Sequence, residues 1–188
     1  MNIIFAGKYC KNLNIEKFKK YKYKFIDEFE DYQKYLHEVD YIISYGYGKI
    51  FKNDALKKKI FNLHPSILPY GRGIYPIVWS IYNKHPIGYT IYQINTSRID
   101  EGLIYSQKEI AYDENNTFKE LFVNITNAAE YDFCENFENY FLNDSSIEIK
   151  DDNNQHYKSK KESQIILNFL KDGWNTKIKD FLFFSKNI

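Results

Sequence analysis

The feature that most constrains this chain is a set of three short apolar runs, each stopped by a loop-forming residue. Ile3-Ile4-Phe5-Ala6 ends at Gly7. Asp40-Tyr41-Ile42-Ile43-Ser44 runs into Gly46-Tyr47-Gly48, and Ile60-Phe61-Asn62-Leu63-His64 stops at Pro65, which cannot donate to a ladder. Runs this short that are apolar without strict alternation read as strands buried on both faces, which is the condition of a parallel sheet. Lys22 to Ile26 supplies a further strand. Asp27 to Leu36 has helical character, with Phe29, Tyr32, Tyr35 and Leu36 near one face, and residues 53–59 read as a short helix. Strands alternating with helices predict an α/β fold whose mostly parallel sheet is flanked by helices. Sites in such folds lie at the carboxyl ends of the strands, where Asn62 and His64 stand.

Farther along, Pro76 to Tyr82 suits a helix. Gly88 to Ile94 and Leu103 to Ile110 read as paired strands joined by a polar connection that holds Asp100 and Gly102. Thr117 is placed to cap a long helix from Phe118 to about Leu142, with Leu121, Ile125, Ala128, Ala129 and Phe133 at helical spacing. A loop-like and then charged stretch puts the one plausible boundary around residues 143–163. We therefore expect a catalytic unit over residues 1–142 and a carboxyl-terminal extension over 143–188, with helices near Ser163 to Leu170 and Lys177 to Phe184.

Composition excludes more than it assigns. The formal charge of +1 with interspersed signs gives no field for nucleic acid or a membrane surface. No segment approaches the ~18 apolar residues of a membrane span. The amino terminus lacks a basic leader followed by a long apolar run, so a secretory signal is not expected there. Cys10 and Cys134 are far apart and fit no metal-ligand spacing, so a reducing cytoplasm is the expected compartment and no metal is expected. His37, His85 and His156 have no ligand partners at useful spacing and read as surface or packing residues. The first strand lacks a Gly-x-Gly-x-x-Gly or Walker pattern, which argues against a dinucleotide enzyme or a kinase. Aromatic residues make up 19 % of the chain, so a single tyrosine is weak evidence, and arginine occurs only at positions 72 and 98.

In a strand successive side chains point to opposite faces, so Asn62 and His64 share a face while Leu63 points away. An amide donor and an imidazole then stand side by side. The amide N–H can stabilise a developing oxyanion by ~3 kcal/mol, and the imidazole can take a proton near neutral pH. Asp100 alone reads as a turn residue, and Glu101 beside it as a solvated side chain.

The segment Asn62-Leu63-His64-Pro65-Ser66-Ile67-Leu68-Pro69, followed by Ile99-Asp100-Glu101-Gly102-Leu103-Ile104, resembles the folate-dependent formyltransferase family. The resemblance covers roughly Asp40 to Thr117. It implies a Rossmann-like sheet and transfer of a formyl group from 10-formyltetrahydrofolate to a primary amine, with Asn62, His64 and Asp100 as the catalytic residues. Asp100 would orient or charge-stabilise His64, or relay protons through water. Tyr45, Gly46, Tyr47, Gly48 and Ile50 match the segment that holds the pterin through backbone groups, and the Asp100 loop would close over the same ring. Two departures stand out. Where the family often has a histidine this chain has Thr90-Ile91-Tyr92, and the part before Asp40 is short, so the sheet is expected to be abbreviated at the amino terminus.

The acceptor is read from the next segment, Leu68 to Ile81, which looks like the sugar N-formyltransferases through its Arg-Gly, Pro and Trp. Tyr70, Arg72, Tyr75 and Trp79 are the candidate acceptor-binding residues, and Gln155 to Lys161 is weakly similar to a segment those enzymes place after the core. The expected partners are folate and a nucleotide-linked amino sugar, dTDP-linked first, made for a bacterial surface polysaccharide such as O-antigen; a homodimer stays open. A glycinamide ribonucleotide transformylase and a non-catalytic folate- or nucleotide-sugar-binding member are the alternatives. Methionyl-tRNA formyltransferase ranks last because no phosphate-binding face is evident.

Overall fold

The structure is a computed structural model, which describes residues 1–142, 146–148 and 158–185. A single sheet runs through it. Its strands are β1 (Asn2–Ala6), β2 (Lys22–Ile26), β3 (Tyr41–Ser44), β4 (Lys59–His64), β5 (Gly88–Ile94), β6 (Leu103–Glu109) and β7 (Ile147–Glu148), in the order β2-β1-β3-β4-β5-β6-β7. From β2 to β4 every pairing is parallel, and from β4 to β7 every pairing is antiparallel. Strand β4 is therefore the seam between the two halves.

The period-2 alternation sorts the apolar runs into two layers. Ile3, Phe5, Ile43, Phe61, Leu63, Tyr89 and Ile91 face one side, where helix α2 (Phe118–Leu142) covers them with Leu121, Ile125, Ala129, Phe133 and Phe137, one residue in four. Ile4, Ala6, Ile42 and Ile60 face the other side with Tyr32, Val39, Phe51 and Ala55. Asn62 and His64 continue the row of Ile60 onto this second face. The reading of β1, β3 and β4 as strands buried on both sides rests on these two layers, whereas β2 at the sheet edge is mostly exposed.

Helix α1 (Pro76–Tyr82) starts on its proline, whose missing N–H costs nothing at a first turn. Helix α2 starts on Thr117: its hydroxyl accepts from the Glu120 N–H at 3.1 Å while the Glu120 carboxylate accepts from the Thr117 N–H at 2.8 Å. The helices expected over Asp27 to Leu36 and over residues 53–59 do not form. Only 3₁₀ turns are present, at Tyr32–Tyr35 and Ala55–Lys57. At the first of these the Asp31 side chain accepts from the Gln33 N–H at 3.1 Å and so caps the turn from inside the expected helix, with Asp31 itself in an extended conformation. The crossovers of the parallel half are abbreviated in consequence.

Past residue 142, helices α3 (Lys160–Leu167) and α4 (Ile178–Ser185) lie against α1 and the start of α2. Phe181 packs edge-on to Phe118 at 5.1 Å, and the Phe118 N–H donates to the Thr176 carbonyl at 3.2 Å. Most of the boundary region expected around 143–163, with Gln155, His156 and Tyr157, lies outside the described residues. No helix among the described residues is long and apolar enough to cross a membrane.

Candidate active site

Asn62 and His64 close strand β4, and antiparallel pairing sets Tyr92 opposite Asn62 and Thr90 opposite His64. The β5–β6 connection then returns Asp100 to the same face. Asn62 Nδ2 donates to the Tyr92 hydroxyl at 3.1 Å, and that hydroxyl donates to Asp100 Oδ1 at 3.0 Å. Asp100 Oδ2 accepts from the Gly73 N–H at 2.6 Å. His64 Nδ1 stands 3.7 Å from Asp100 Oδ1, and both side chains are largely shielded from solvent. The three residues expected at the reacting centre thus lie together.

His64 is oriented by the backbone. Its Nε2 lies 3.0 Å from the Gly71 carbonyl oxygen, which can only accept, so the proton belongs on Nε2 and Nδ1 is left facing Asp100. At 3.7 Å the carboxylate is beyond direct hydrogen-bond reach. Asp100 faces the ring without a direct bond to it, and Gly71 fixes the ring's tilt. The Gly71 turn is one that only glycine fits: φ is +64°, and a Cβ would come within 2.4 Å of Ser66 Oγ.

The Asp100 loop is tethered twice. Asp100 itself has φ +51°, a left-handed conformation aspartate tolerates better than most residues, and Gly102 follows with φ +155°. A Cβ on Gly102 would meet the Gln93 carbonyl at 1.9 Å, so the loop can press against β5 only with glycine there. Glu101 is not the solvated side chain expected. It is 14 % exposed and receives both arginines of the chain, Arg98 Nε at 2.6 Å and Arg72 at 3.3 Å, with Arg72 itself buried. A guanidinium fork suits this task better than an ammonium.

Residues 65–70 rest on β5 and β6. Thr90 Oγ1 donates to the Ser66 carbonyl at 2.7 Å and accepts from the Leu68 N–H at 3.0 Å, while Gln107 Nε2 donates to the Leu68 carbonyl at 2.8 Å. No sequence motif singles out Thr90 or Gln107 for this role. The signal that finds them is the β4–β5–β6 register.

The expected folate segment follows β3 at the same end of the sheet. The Tyr45 side chain turns to the opposite face, where its hydroxyl donates to Glu130 at 2.9 Å, so its backbone alone lies at the strand end. Burial pushes the Tyr45 phenol up. Tyr47 stacks on Phe51 at 5.1 Å and donates to the Glu30 carbonyl, and its phenol is pushed up to about 12, chiefly by burial. The exposed Phe29 ring lies over Gly48, and Ile50 is exposed as well. The expected acceptor residues are less concentrated. Arg72 belongs to the Asp100 tether. Tyr70 lies tilted against the His85 ring at 4.3 Å, Tyr75 lies 6.1 Å from the Trp174 ring, and Trp79 Nε1 donates to Ser163 Oγ on α3 at 3.0 Å. Among the described residues no cluster of His, Cys, Asp or Glu is arranged to hold a metal.

The likenesses of the chain agree with this geometry. The formyltransferase PseJ from Anoxybacillus kamchatkensis, solved with UDP-4,6-dideoxy-4-formamido-L-AltNAc and tetrahydrofolate, is 29 % identical; its match covers 96 % of this chain and 97 % of that one, with a TM-score of 0.84. The methionyl-tRNA formyltransferase of Thermotoga maritima is 32 % identical over 74 % of this chain and 46 % of its own length. The bifunctional polymyxin resistance protein ArnA of Wigglesworthia glossinidia brevipalpis is 40 % identical over 49 % of this chain and 14 % of its own length. The chain spans less than half the length of these two curated relatives. The formyl transferase family model matches residues 8–134, most of the chain and the whole of the β4–Asp100 constellation, and on that match the chain belongs to the formyl transferase family.

Proposed function

We propose that the protein transfers a formyl group from 10-formyltetrahydrofolate to the primary amine of a nucleotide-linked amino sugar, with Asn62, His64 and Asp100 at the reacting centre. The observation that carries this reading is the clustering of an amide donor, an imidazole with one nitrogen fixed on a carbonyl, and a shielded carboxylate at the end of β4. The amine attacks the formyl carbon, and the second Nδ2 hydrogen of Asn62 stabilises the oxyanion. His64 Nδ1 takes the proton that the amine loses, and the Asp100 carboxylate 3.7 Å away stabilises the resulting positive ring. The new C–N bond forms, the bond from the formyl carbon to N10 of the folate breaks, and N10 leaves with a proton. Of the roles open to Asp100, charge stabilisation or relay through water fits the distance better than orientation of the ring.

The backbone of Tyr45, Gly46, Tyr47, Gly48 and Ile50, with the Asp100 loop, would hold the pterin. The acceptor would enter past Tyr70, Arg72, Tyr75 and Trp79, and Arg72 would have to share its guanidinium with Glu101. A UDP-linked sugar is favoured over the dTDP-linked one expected from the sequence, because PseJ is matched along nearly its whole length and was solved with a UDP-linked formamido sugar. Supply of such a product to a surface polysaccharide such as O-antigen, in the cytoplasm, is the biological setting we propose.

The test is a comparison of acceptors. With 10-formyltetrahydrofolate, a UDP- or dTDP-linked amino sugar should give a kcat/KM of ~10⁴ M⁻¹s⁻¹ or above, and at least ~100-fold more than glycinamide ribonucleotide or methionyl-tRNA. A pocket built for a base, a pyrophosphate and a hexose leaves polar groups unpaired with other substrates. Better turnover of glycinamide ribonucleotide would remove the sugar assignment and keep the chemistry.

A further inference from the structure

We propose that Tyr92 is a positioning residue of the site, whose hydroxyl converts the charge of Asp100 into the orientation of the Asn62 amide. The inference rests on the functional reading above and assigns a role to a residue that reading does not use.

Donors and acceptors alternate along the row from Asp100 through Tyr92 to Asn62. An ionised carboxylate only accepts, so the Tyr92 hydroxyl, 3.0 Å from Asp100 Oδ1, must donate there. Having spent its one proton, that hydroxyl can only accept from Asn62. The group of Asn62 that faces it at 3.1 Å is therefore Nδ2, and the carbonyl Oδ1 points elsewhere. One Nδ2 hydrogen is held by Tyr92, which leaves the other as the donor for an oxyanion. A free asparagine has no such preference between its two amide orientations, and the wrong one would aim a carbonyl oxygen at the developing negative charge.

The surroundings make the relay rigid. Tyr92 is 1 % exposed, and its phenol is held well above the ordinary tyrosine range, by burial first and by the Asp100 charge second, so it stays a donor across the working pH range. Asp100 cannot turn away, because its second oxygen is fixed by the Gly73 N–H at 2.6 Å. The register that pairs Asn62 with Tyr92 is the same one that brings Thr90 beside His64, so the phenol is placed by the sheet and not by a loop.

The test uses the full chain and Tyr92→Phe, which removes only the hydroxyl. Two readouts are taken: hydrogen exchange of the Asn62 Nδ2 protons by NMR without substrate, and steady-state kinetics. Relay predicts Asn62 side-chain exchange faster by about tenfold or more, and a kcat lowered by about tenfold or more with both KM values within about twofold of wild type. Combined with Asn62→Ala, the kcat loss should be far from multiplicative, since both changes remove one donor. Asp100→Ala, which removes the acceptor of the Tyr92 hydroxyl and leaves the tyrosine in place, should also accelerate Asn62 exchange and keeps the test open if the phenylalanine variant folds poorly. Wild-type exchange and wild-type kcat in Tyr92→Phe would overturn the inference. Altered exchange in a protein that formylates no amine even as wild type would sustain the relay and count against the proposed function.

Discussion

The two halves of the sheet do different work, and β4 belongs to both. On the parallel side, β1, β3 and β4 are buried on both faces and every odd-numbered apolar residue meets α2 or its neighbours. On the antiparallel side, β6 is half-open to solvent, and the pairs across β4 and β5 are polar: Asn62 with Tyr92 and His64 with Thr90. Stability should therefore depend most on the first half, and chemistry on the seam. Polar side chains can be set side by side there because hairpin-type pairing needs no covering helix on the face they occupy.

The largest effect should come from the parallel half. Phe5 is fully buried, edge-on to Phe18 and stacked on Phe25, both at 5.1 Å. Phe5→Ala should lower unfolding free energy by about 3–5 kcal/mol in a urea titration. Whatever protein stays folded should keep its KM values. At the seam the opposite is expected: His64→Ala should lower kcat by at least ~100-fold with the denaturation midpoint nearly unchanged. If Phe5→Ala hardly changes stability, or His64→Ala unfolds the protein, the division of labour fails.

Between these extremes stands Glu101. Breaking a shielded pair by removing one charge strands the other, so Glu101→Gln should lose up to about 3 kcal/mol and also lower kcat through Asp100. A variant with full stability and reduced kcat would show that the two arginines serve the site alone. The smallest effect is a pH dependence on the α2 side. Burial raises the Glu130 carboxyl above its ordinary 4.5, partly countered by the Tyr45 hydroxyl. A raised folded pKa of an acid favours the protonated folded state, so this contribution to stability falls as pH rises from about 4.5 through the folded value. Glu130→Gln should flatten the stability profile in that window, and an unchanged slope in urea melts would contradict the burial argument.

Much of this division is legible in the sequence. The apolar runs ending at Gly7, Ser44 and Pro65 give the parallel half, and Pro76 and Thr117 give the starts of α1 and α2 because proline and a hydroxyl each answer a backbone need at a helix start. Asn62, His64 and Asp100 are legible as a motif. Tyr92 is not, because tyrosine occurs 18 times in the chain and only strand register sets this one apart. The signal for Glu101 lies in its partners: with 26 basic residues and only two arginines, the places where lysine would not do are few. The 3₁₀ turns at Tyr32–Tyr35 and Ala55–Lys57 lie in segments whose apolar spacing is the same for an α-helix and for a shorter 3₁₀ turn, so spacing alone does not separate the two. Contacts of residues 158–185 depend on long-range pairing, such as the Lys158 N–H on the Arg72 carbonyl at 3.1 Å, which no local pattern encodes.

The most direct measurement is mass spectrometry of the acceptor after incubation of the purified protein with 10-formyltetrahydrofolate and a UDP-linked amino sugar, run beside Asn62→Ala and His64→Ala. The wild-type protein should replace one amine hydrogen with a formyl group while releasing one tetrahydrofolate per product, and each variant should slow this by about 100-fold or more. Equal product from wild type and both variants, with folding verified by circular dichroism, would contradict the assignment of the chemistry to the end of β4.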